Sequence, residues 1–394
     1  MQNGTKYCVS ASAGEWRLWT NKAPLLRHLD LELTERCNNN CIHCSINLPS
    51  NDQKARASEL DKEEWAEILR TAADLGALRV RFTGGEPLLR EDFEEIYLCA
   101  RRLGLKVLLF TNARKIDFHL ADLFSRIPLL EKIEVSVYGL HTKSYEAVSR
   151  SRGSYREFHQ GVERLKSHGI PFIVNGTYLP ATKNEICEFQ SWASQIPWMK
   201  TSPAYSVFFD LRSRRDSENK NEVIRSLRPE PEEGIRIFAR DEESYIRNII
   251  HFCQRYIGPP GEHLFPCGAG LSGCVDAYGR LQPCLSLRHP DTGFDLKRGS
   301  MRRAFEEFFP QLRQIKSRNV EYLNRCARCF LHGLCSQCPA KSWSEHGTLD
   351  TPVEYLCDVA HIQACQIGLI KESEKGWEIM DWRLRISKLK EKEK

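Results

Sequence analysis

From residue 29 to about 210, short apolar runs alternate with longer amphipathic stretches, a rhythm that leaves few architectures open. The apolar runs read as strands buried on both faces, and the stretches between them as helices that carry the chain back to begin a parallel neighbour. Strands are expected at Leu29–Thr34, Leu78–Thr83, Lys106–Thr111, Lys132–Val137, Phe172–Thr177 and Tyr205–Asp210. Helices are expected at Lys62–Leu75, Asp92–Leu103, Tyr155–His168 and Lys183–Ala193, the first three followed by Gly76, Gly104 and Gly169, the residue type that best accepts a left-handed helix end. The fold class is α/β, and the loops after Thr34, Thr83, Thr111, Val137 and Thr177 share one functional face.

A chain of 394 residues exceeds one ordinary core, so a second unit is expected beyond this one. Pro259, Pro260 and Gly261 mark the boundary. The expected units are an N-terminal extension (1–28), a barrel-sized unit (29–258) with a charged insertion near 211–234, a Cys-rich module (259–365), and a helical tail (366–394) whose end reads as solvated. The insertion is either a surface excursion or a lid. With 57 Lys plus Arg against 52 Asp plus Glu dispersed along the chain, a net charge of +5 does not point to nucleic acid. No signal-peptide core opens the sequence, and no run approaches the roughly 18 apolar residues of a membrane span, so a cytoplasmic protein without membrane contact is expected. In that compartment thiols stay reduced, and 16 cysteines in short-spaced groups read as metal ligands more readily than as disulfides.

Directly after the first strand, TERCNNNCIHC places Cys37, Cys41 and Cys44 on one loop. Three such thiolates can hold three corners of an iron–sulfur cube and leave one iron open, whereas a structural zinc would need a distant fourth ligand. After the next strand, Gly84, Gly85, Glu86 and Pro87 combine backbone that can approach a ligand closely with a carboxylate able to accept from a cation. Together the two motifs resemble the radical S-adenosylmethionine (SAM) superfamily over residues 29–210, with His43 where that family commonly carries an aromatic residue. The resemblance implies a partial (β/α)6 TIM-like barrel and a [4Fe–4S] cluster on Cys37, Cys41 and Cys44. It also implies S-adenosyl-L-methionine on the open iron, cleaved to a 5′-deoxyadenosyl radical that takes hydrogen from substrate. Gly84 to Pro87 would contact the cosubstrate, as would Ser136, although Tyr138 departs from the family's usual Asp. At other strand ends, Thr111, Asn112, Arg150 or Arg152, and Asn175 or Thr177 are candidates to line the same pocket. No catalytic acid or base is apparent.

Further on, Cys267, Cys274, Cys284, Cys326, Cys329, Cys335, Cys338 and Cys357 supply eight thiols, enough for two four-ligand clusters or a pair of zinc ribbons. Asp276 to Gly279 form a turn, so Val275 and Leu281–Pro283 are expected to pair as a hairpin. This segment resembles the SPASM domain of peptide-modifying radical enzymes, through Gly279 and Cys284 and through the spacing of Cys326, Cys329 and Cys335. The two-residue gap from Cys335 to Cys338 departs from the family's three. The resemblance implies two auxiliary [4Fe–4S] clusters, grouped by analogy as Cys267, Cys274, Cys284 and Cys338, and as Cys326, Cys329, Cys335 and Cys357. Cys8, Cys99, Cys187, Cys253 and Cys365 remain as ordinary thiols.

Auxiliary clusters can take the electron released when a substrate radical becomes a double bond or crosslink, so oxidation is favoured over rearrangement. Leu285 stands where sulfatase-maturing relatives carry an Asp base, which argues against that activity. The leading expectation is an oxidoreductase modifying a peptide or protein residue, resembling maturases of ribosomal peptides, with ferredoxin or flavodoxin as electron donor. Because 28 residues before the first strand are too few for a peptide-recognition domain, a leader peptide is expected to need a separate leader-binding protein or the charged insertion. The alternatives are a cofactor-biosynthesis enzyme of tetrapyrrole or quinone type, and a non-catalytic iron–sulfur carrier or scaffold.

Overall fold

The computed structural model describes residues 26–212, 218–240 and 242–391. Cys8, most of the N-terminal extension and residues 213–217 of the charged insertion lie outside the described residues. Six parallel strands form the first unit: β1 His28–Thr34, β2 Arg79–Gly84, β3 Lys106–Thr111, β4 Leu130–Ser136, β5 Phe172–Thr177 and β6 Ala204–Ser206. Leu29, Leu31 and Leu33 of β1 are fully buried, as are Val80, Phe82, Val107 and Leu109 on its neighbours. Helices cover this core with a single apolar stripe. In Lys62–Asp74 the buried residues are Trp65, Ile68, Leu69 and Ala72, spaced as one helical face, and an Asp61–Glu64 capping box starts the helix.

β6 is three residues long, shorter than the expected Tyr205–Asp210. Beyond Ser206 the buried Val207 leaves the sheet for a small cluster with Tyr178 and Ile186, and Phe209 and Leu211 for another that packs against Ile42 of the first cysteine loop. The charged stretch contains two helices, Glu218–Ser226 and Pro231–Phe238.

The expected hairpin is present as β7 Gly273–Val275 and β8 Arg280–Gln282, with Val275 opposite Leu281. Asp276 Oδ1 accepts from the Tyr278 and Arg280 N–H groups at 3.0 and 2.9 Å, closing the turn. A further short strand, β9 Phe294–Asp295, pairs with β8. β7 also runs parallel to β1, with Leu29 opposite Gly273 and Leu31 opposite Val275. The sheet therefore continues without a break in the order β9-β8-β7-β1-β2-β3-β4-β5-β6. Barrel and Cys-rich module are welded along β1.

The tail is solvated on one face only, at Arg383, Leu384, Ser387 and Lys388. Ile386 and Leu389 of its helix Trp382–Glu391 are buried in a second core with Ile249, Ile250, Cys253, Phe330, Leu331 and Ala364. The charged composition of the last residues hid these two apolar positions, three apart on one helical face.

Candidate active site

The loop after β1 has only a two-residue ladder of its own, Arg36–Cys37 against Leu48–Pro49, and three other segments hold it. Asn40 and Ile42 N–H donate to the Ser149 and Val148 carbonyls at 2.8 and 3.1 Å. Arg114 donates to the Asn38 carbonyl and to Asn39 Oδ1 at 2.6 Å, while its other nitrogen pairs with Glu157 at 2.7 Å. Arg212 donates to the Cys44 carbonyl and Asn47 Oδ1, both at 2.7 Å. Neither arginine carries a local sequence signal, because the loop partners of Arg114 lie about 75 residues away and those of Arg212 more than 160.

The two glycines after β2 serve this loop. A Cβ on Gly84 would meet the Thr34 carbonyl oxygen at 2.1 Å, and one on Gly85 would meet that of Arg36 at 2.2 Å. Gly85 and Glu86 N–H donate to those same carbonyls at 2.7 and 2.9 Å. The close approach is to the protein's own cysteine loop, one residue before Cys37.

Glu86 is fully buried and accepts from Thr111 Oγ1 and Asn112 N–H, both at 2.8 Å, and from Leu88 N–H at 3.2 Å. Pro87 opens the short turn that follows. Burial pushes the Glu86 carboxyl up to about 7 from an ordinary 4.5. Between those values the native chain keeps a proton that the unfolded chain has released, so this group's contribution to stability falls as pH rises through the window. Buried His43, lowered to about 4, acts in the opposite sense, so the informative quantity is wild type minus Glu86→Gln. That difference is expected to change by about 3 kcal/mol across the window in urea unfolding of the cluster-free protein. An equal pH slope in both proteins would rule Glu86 out as its source.

At the C-terminal end of the strands, Cys37, Cys41 and Cys44 share an open cavity of about 740 Å³, mouth included, with Gly84, Gly85, Thr111, Asn112 and Ser136. Glu86 stands behind Thr111 and Asn112. Tyr138, in place of the Asp common in relatives, also lines the cavity, its ring 5.9 Å from that of His43, which in turn lies 5.1 Å from Phe209. The remaining candidates are elsewhere. Asn175 donates to Glu134 at 2.9 Å. Arg150, exposed and left-handed at φ 50, lines an opening of about 530 Å³ on the other side of the loop with Cys41, Cys44, Arg212 and Lys220. Arg152 is exposed, and Thr177 lines a separate hollow of about 260 Å³.

Cys326, Cys329, Cys335 and Cys357 line one cavity of about 430 Å³. Cys267 and Cys338 line an adjoining one of about 600 Å³. Cys274 lies on β7 opposite Asp30 of β1. Arg288 reaches from Cys274 Sγ at 3.6 Å to the Cys284 carbonyl at 3.0 Å and Glu32 Oε1 at 2.9 Å. Burial pushes the thiols of Cys37 and Cys329 up to about 12, and those of Cys326 and Cys338 up to about 11, so thiolates here call for a bound cation. Among the described residues, no group of three or more His, Cys, Asp or Glu side chains is drawn together tightly enough to hold a single metal ion. Thiol donors standing round cavities are nevertheless the donor chemistry of iron–sulfur clusters, and the residues fit such groups. Also among the described residues, no helix is long and apolar enough to cross a membrane.

Residues 31–193 match the Radical SAM superfamily. The AdoMet-dependent heme synthase of Methanosarcina barkeri is 25% identical over 334 residues, covering 80% of this chain and 92% of that protein. The PqqA peptide cyclase of Gluconobacter oxydans is 33% identical over 144 residues, 36% of this chain and 39% of its own length. Streptococcus suis SuiB bound to precursor peptide SuiA shares the fold, with a TM-score of 0.59 at 16% identity over 85% of this chain and 76% of that one.

Proposed function

We propose that this chain, a radical SAM enzyme related to peptide-modifying maturases, removes hydrogen from a residue of a peptide substrate and oxidises it, with the C-terminal cysteines holding the electron acceptors. The observation that carries the reading is the shared sheet. β7, bearing Cys274, is paired to β1, whose end leads into Cys37, so one continuous sheet links an electron acceptor held there to the reaction cavity. When bound, the cluster on Cys37, Cys41 and Cys44 with S-adenosyl-L-methionine supplies the hydrogen-abstracting radical. The chain's own part is placement. Glu86 fixes Thr111 and the Asn112 backbone, and the Asn112 side chain donates to Asn38 Oδ1 at 2.8 Å, holding cavity wall and cysteine loop together.

The cavity wall mixes apolar side chains such as Ile46 and Phe110 with uncharged polar ones such as Thr111, Asn112 and Ser136, with no Lys or Arg among its described lining residues. That suits a peptide backbone. A tetrapyrrole brings several carboxylates that would need cationic partners, yet similarity over 92% of the heme synthase keeps a tetrapyrrole reaction as the second reading. Ferredoxin or flavodoxin is the proposed reductant, and a separate leader-binding protein the proposed means of peptide capture.

With reductant and S-adenosyl-L-methionine, the anaerobically reconstituted protein is expected to form 5′-deoxyadenosine, and the triple Cys37, Cys41, Cys44→Ala protein only background. Incubated with its peptide substrate, sought among short peptides encoded near its gene, the active protein is expected to remove two hydrogens, read by mass spectrometry. Alteration of a tetrapyrrole with the peptide unchanged would select the second reading.

A further inference from the structure

We propose that the C-terminal tail closes the cavity ringed by Cys326, Cys329, Cys335 and Cys357, and that Gly376, acting through His361, positions an N–H donor at Cys357. The inference rests on the reading that these four thiols hold a cluster.

The tail meets the ligand set at Gly376. A Cβ there would lie 2.7 Å from Cys329 Sγ and 2.8 Å from Leu331 Cγ, so a side chain is excluded where the backbone passes the sulfur. The Gly376 carbonyl accepts from Phe330 N–H at 3.3 Å, and its own N–H donates to His361 Nε2 at 3.1 Å. With Nε2 accepting, the proton of the neutral ring sits on Nδ1. Nδ1 faces Cys357, 2.8 Å from its carbonyl oxygen and 3.6 Å from Sγ. Arg325, held by Glu354 at 2.7 and 2.9 Å, approaches the same sulfur at 3.8 Å. Two N–H donors therefore converge on Cys357.

Trp377 covers both. It lines the cavity, with its ring 5.5 Å from the His361 ring and 4.8 Å from the Arg325 guanidinium. The rest of the tail anchors this lid: Arg385 pairs with Glu374 at 2.6 and 2.9 Å, and Trp382 stacks on Phe330 at 6.1 Å. Hydrogen bonds to sulfur and exclusion of solvent are the protein's means of setting a cluster's potential and lability. A cluster with four protein thiols under such a lid is closed to substrate, which leaves electron relay as its role.

The test uses the full chain, reconstituted anaerobically, with iron counted and its loss to a ferrous chelator followed by bleaching. Trp377→Ala is expected to assemble wild-type iron and to lose one cluster's share on the order of tenfold faster. Trp377→Phe, which keeps a ring on Arg325 and His361, and Met380→Ala, at an exposed position of the same tail outside the cavity, are expected to stay near the wild-type rate. His361→Ala is expected to shift the paramagnetic signature of the reduced cluster, and His361→Gln, which restores an N–H, to bring it back toward wild type. Should Trp377→Ala fail to fold, Arg325→Met gives the same chelation readout. Wild-type chelation rates together with an unchanged signature overturn the closure. If Ala at all four cysteines leaves the iron content unchanged, the cluster reading fails and the closure with it. If iron falls in that protein while chelation rates and signature stay wild-type in the other variants, the closure alone is overturned.

Discussion

Gly85→Ala is expected to leave the chain without a cluster on Cys37, Cys41 and Cys44 and to reduce 5′-deoxyadenosine formation to background. The new methyl would sit 2.2 Å from the Arg36 carbonyl oxygen, 2.6 Å from that of Glu35 and 2.7 Å from the Arg36 carbonyl carbon. All three atoms are backbone, so no side-chain rotation relieves the clash. That backbone is held in turn: Arg36 N–H donates to Thr34 Oγ1 at 3.0 Å, its guanidinium pairs with Glu59 at 2.9 Å, and Arg90 donates to the Leu33 carbonyl at 3.0 Å. Overpacking costs about 1–3 kcal/mol where side chains can yield, and more is expected where only backbone can. The displacement falls one residue before the first cysteine of the loop. Gly104→Ala is the control, since its left-handed φ of +78 adds strain of about 1–2 kcal/mol but a Cβ there meets nothing within 4 Å. Iron content and 5′-deoxyadenosine yield are the measurements. A Gly85→Ala protein with wild-type iron would show that the loop is softer than its hydrogen bonds imply.

What could be read from the sequence was whatever is local. β3 and β5 have the expected bounds because each carries a short apolar run and ends in a Thr. The first cysteine loop and the glycine pair are contiguous motifs, and the turn from Asp276 to Gly279 carries its own chemistry. Side chains that act over long separations left no such mark. Arg114 and Arg212 look like ordinary charges until the fold brings the cysteine loop to them. The role of Gly84 and Gly85 was legible as close approach, but not that a Cβ at either would meet backbone some fifty residues upstream. Gly376 lies beyond the last cysteine expected to bind metal, so nothing in the cysteine spacing reaches it.

Arg288→Met is expected to destabilise the cluster-free protein by about 3–5 kcal/mol, because it strips the guanidinium from a carboxylate that cannot reach water. The Arg288 and Glu32 side chains are only 4% and 2% exposed, and their nitrogen and oxygen lie 2.9 Å apart across the seam between the Cys-rich module and β1. Adding Glu32→Gln removes the buried charge and is expected to recover most of the loss, since the penalty of a broken buried pair lies largely in the charge left behind. Urea unfolding of the two single variants and the double variant measures this cycle. A double variant no more stable than Arg288→Met would show that packing, not charge, is what Arg288 supplies. The iron–sulfur readout is expected to part company with stability. Arg288 also donates toward Cys274 Sγ and to the Cys284 carbonyl, contacts that Glu32→Gln does not restore. The double variant should therefore fold nearly as well as wild type while its module, once reconstituted, keeps a midpoint potential displaced from wild type, less so than in the single Arg288 variant because the Glu32 charge is gone as well. Hydrogen bonds and positive charge near cluster sulfur raise the potential, so the shift is expected toward more negative values. That would make the seam with β1, the strand leading to the radical site, the place where the chain sets how readily its substrate gives up an electron.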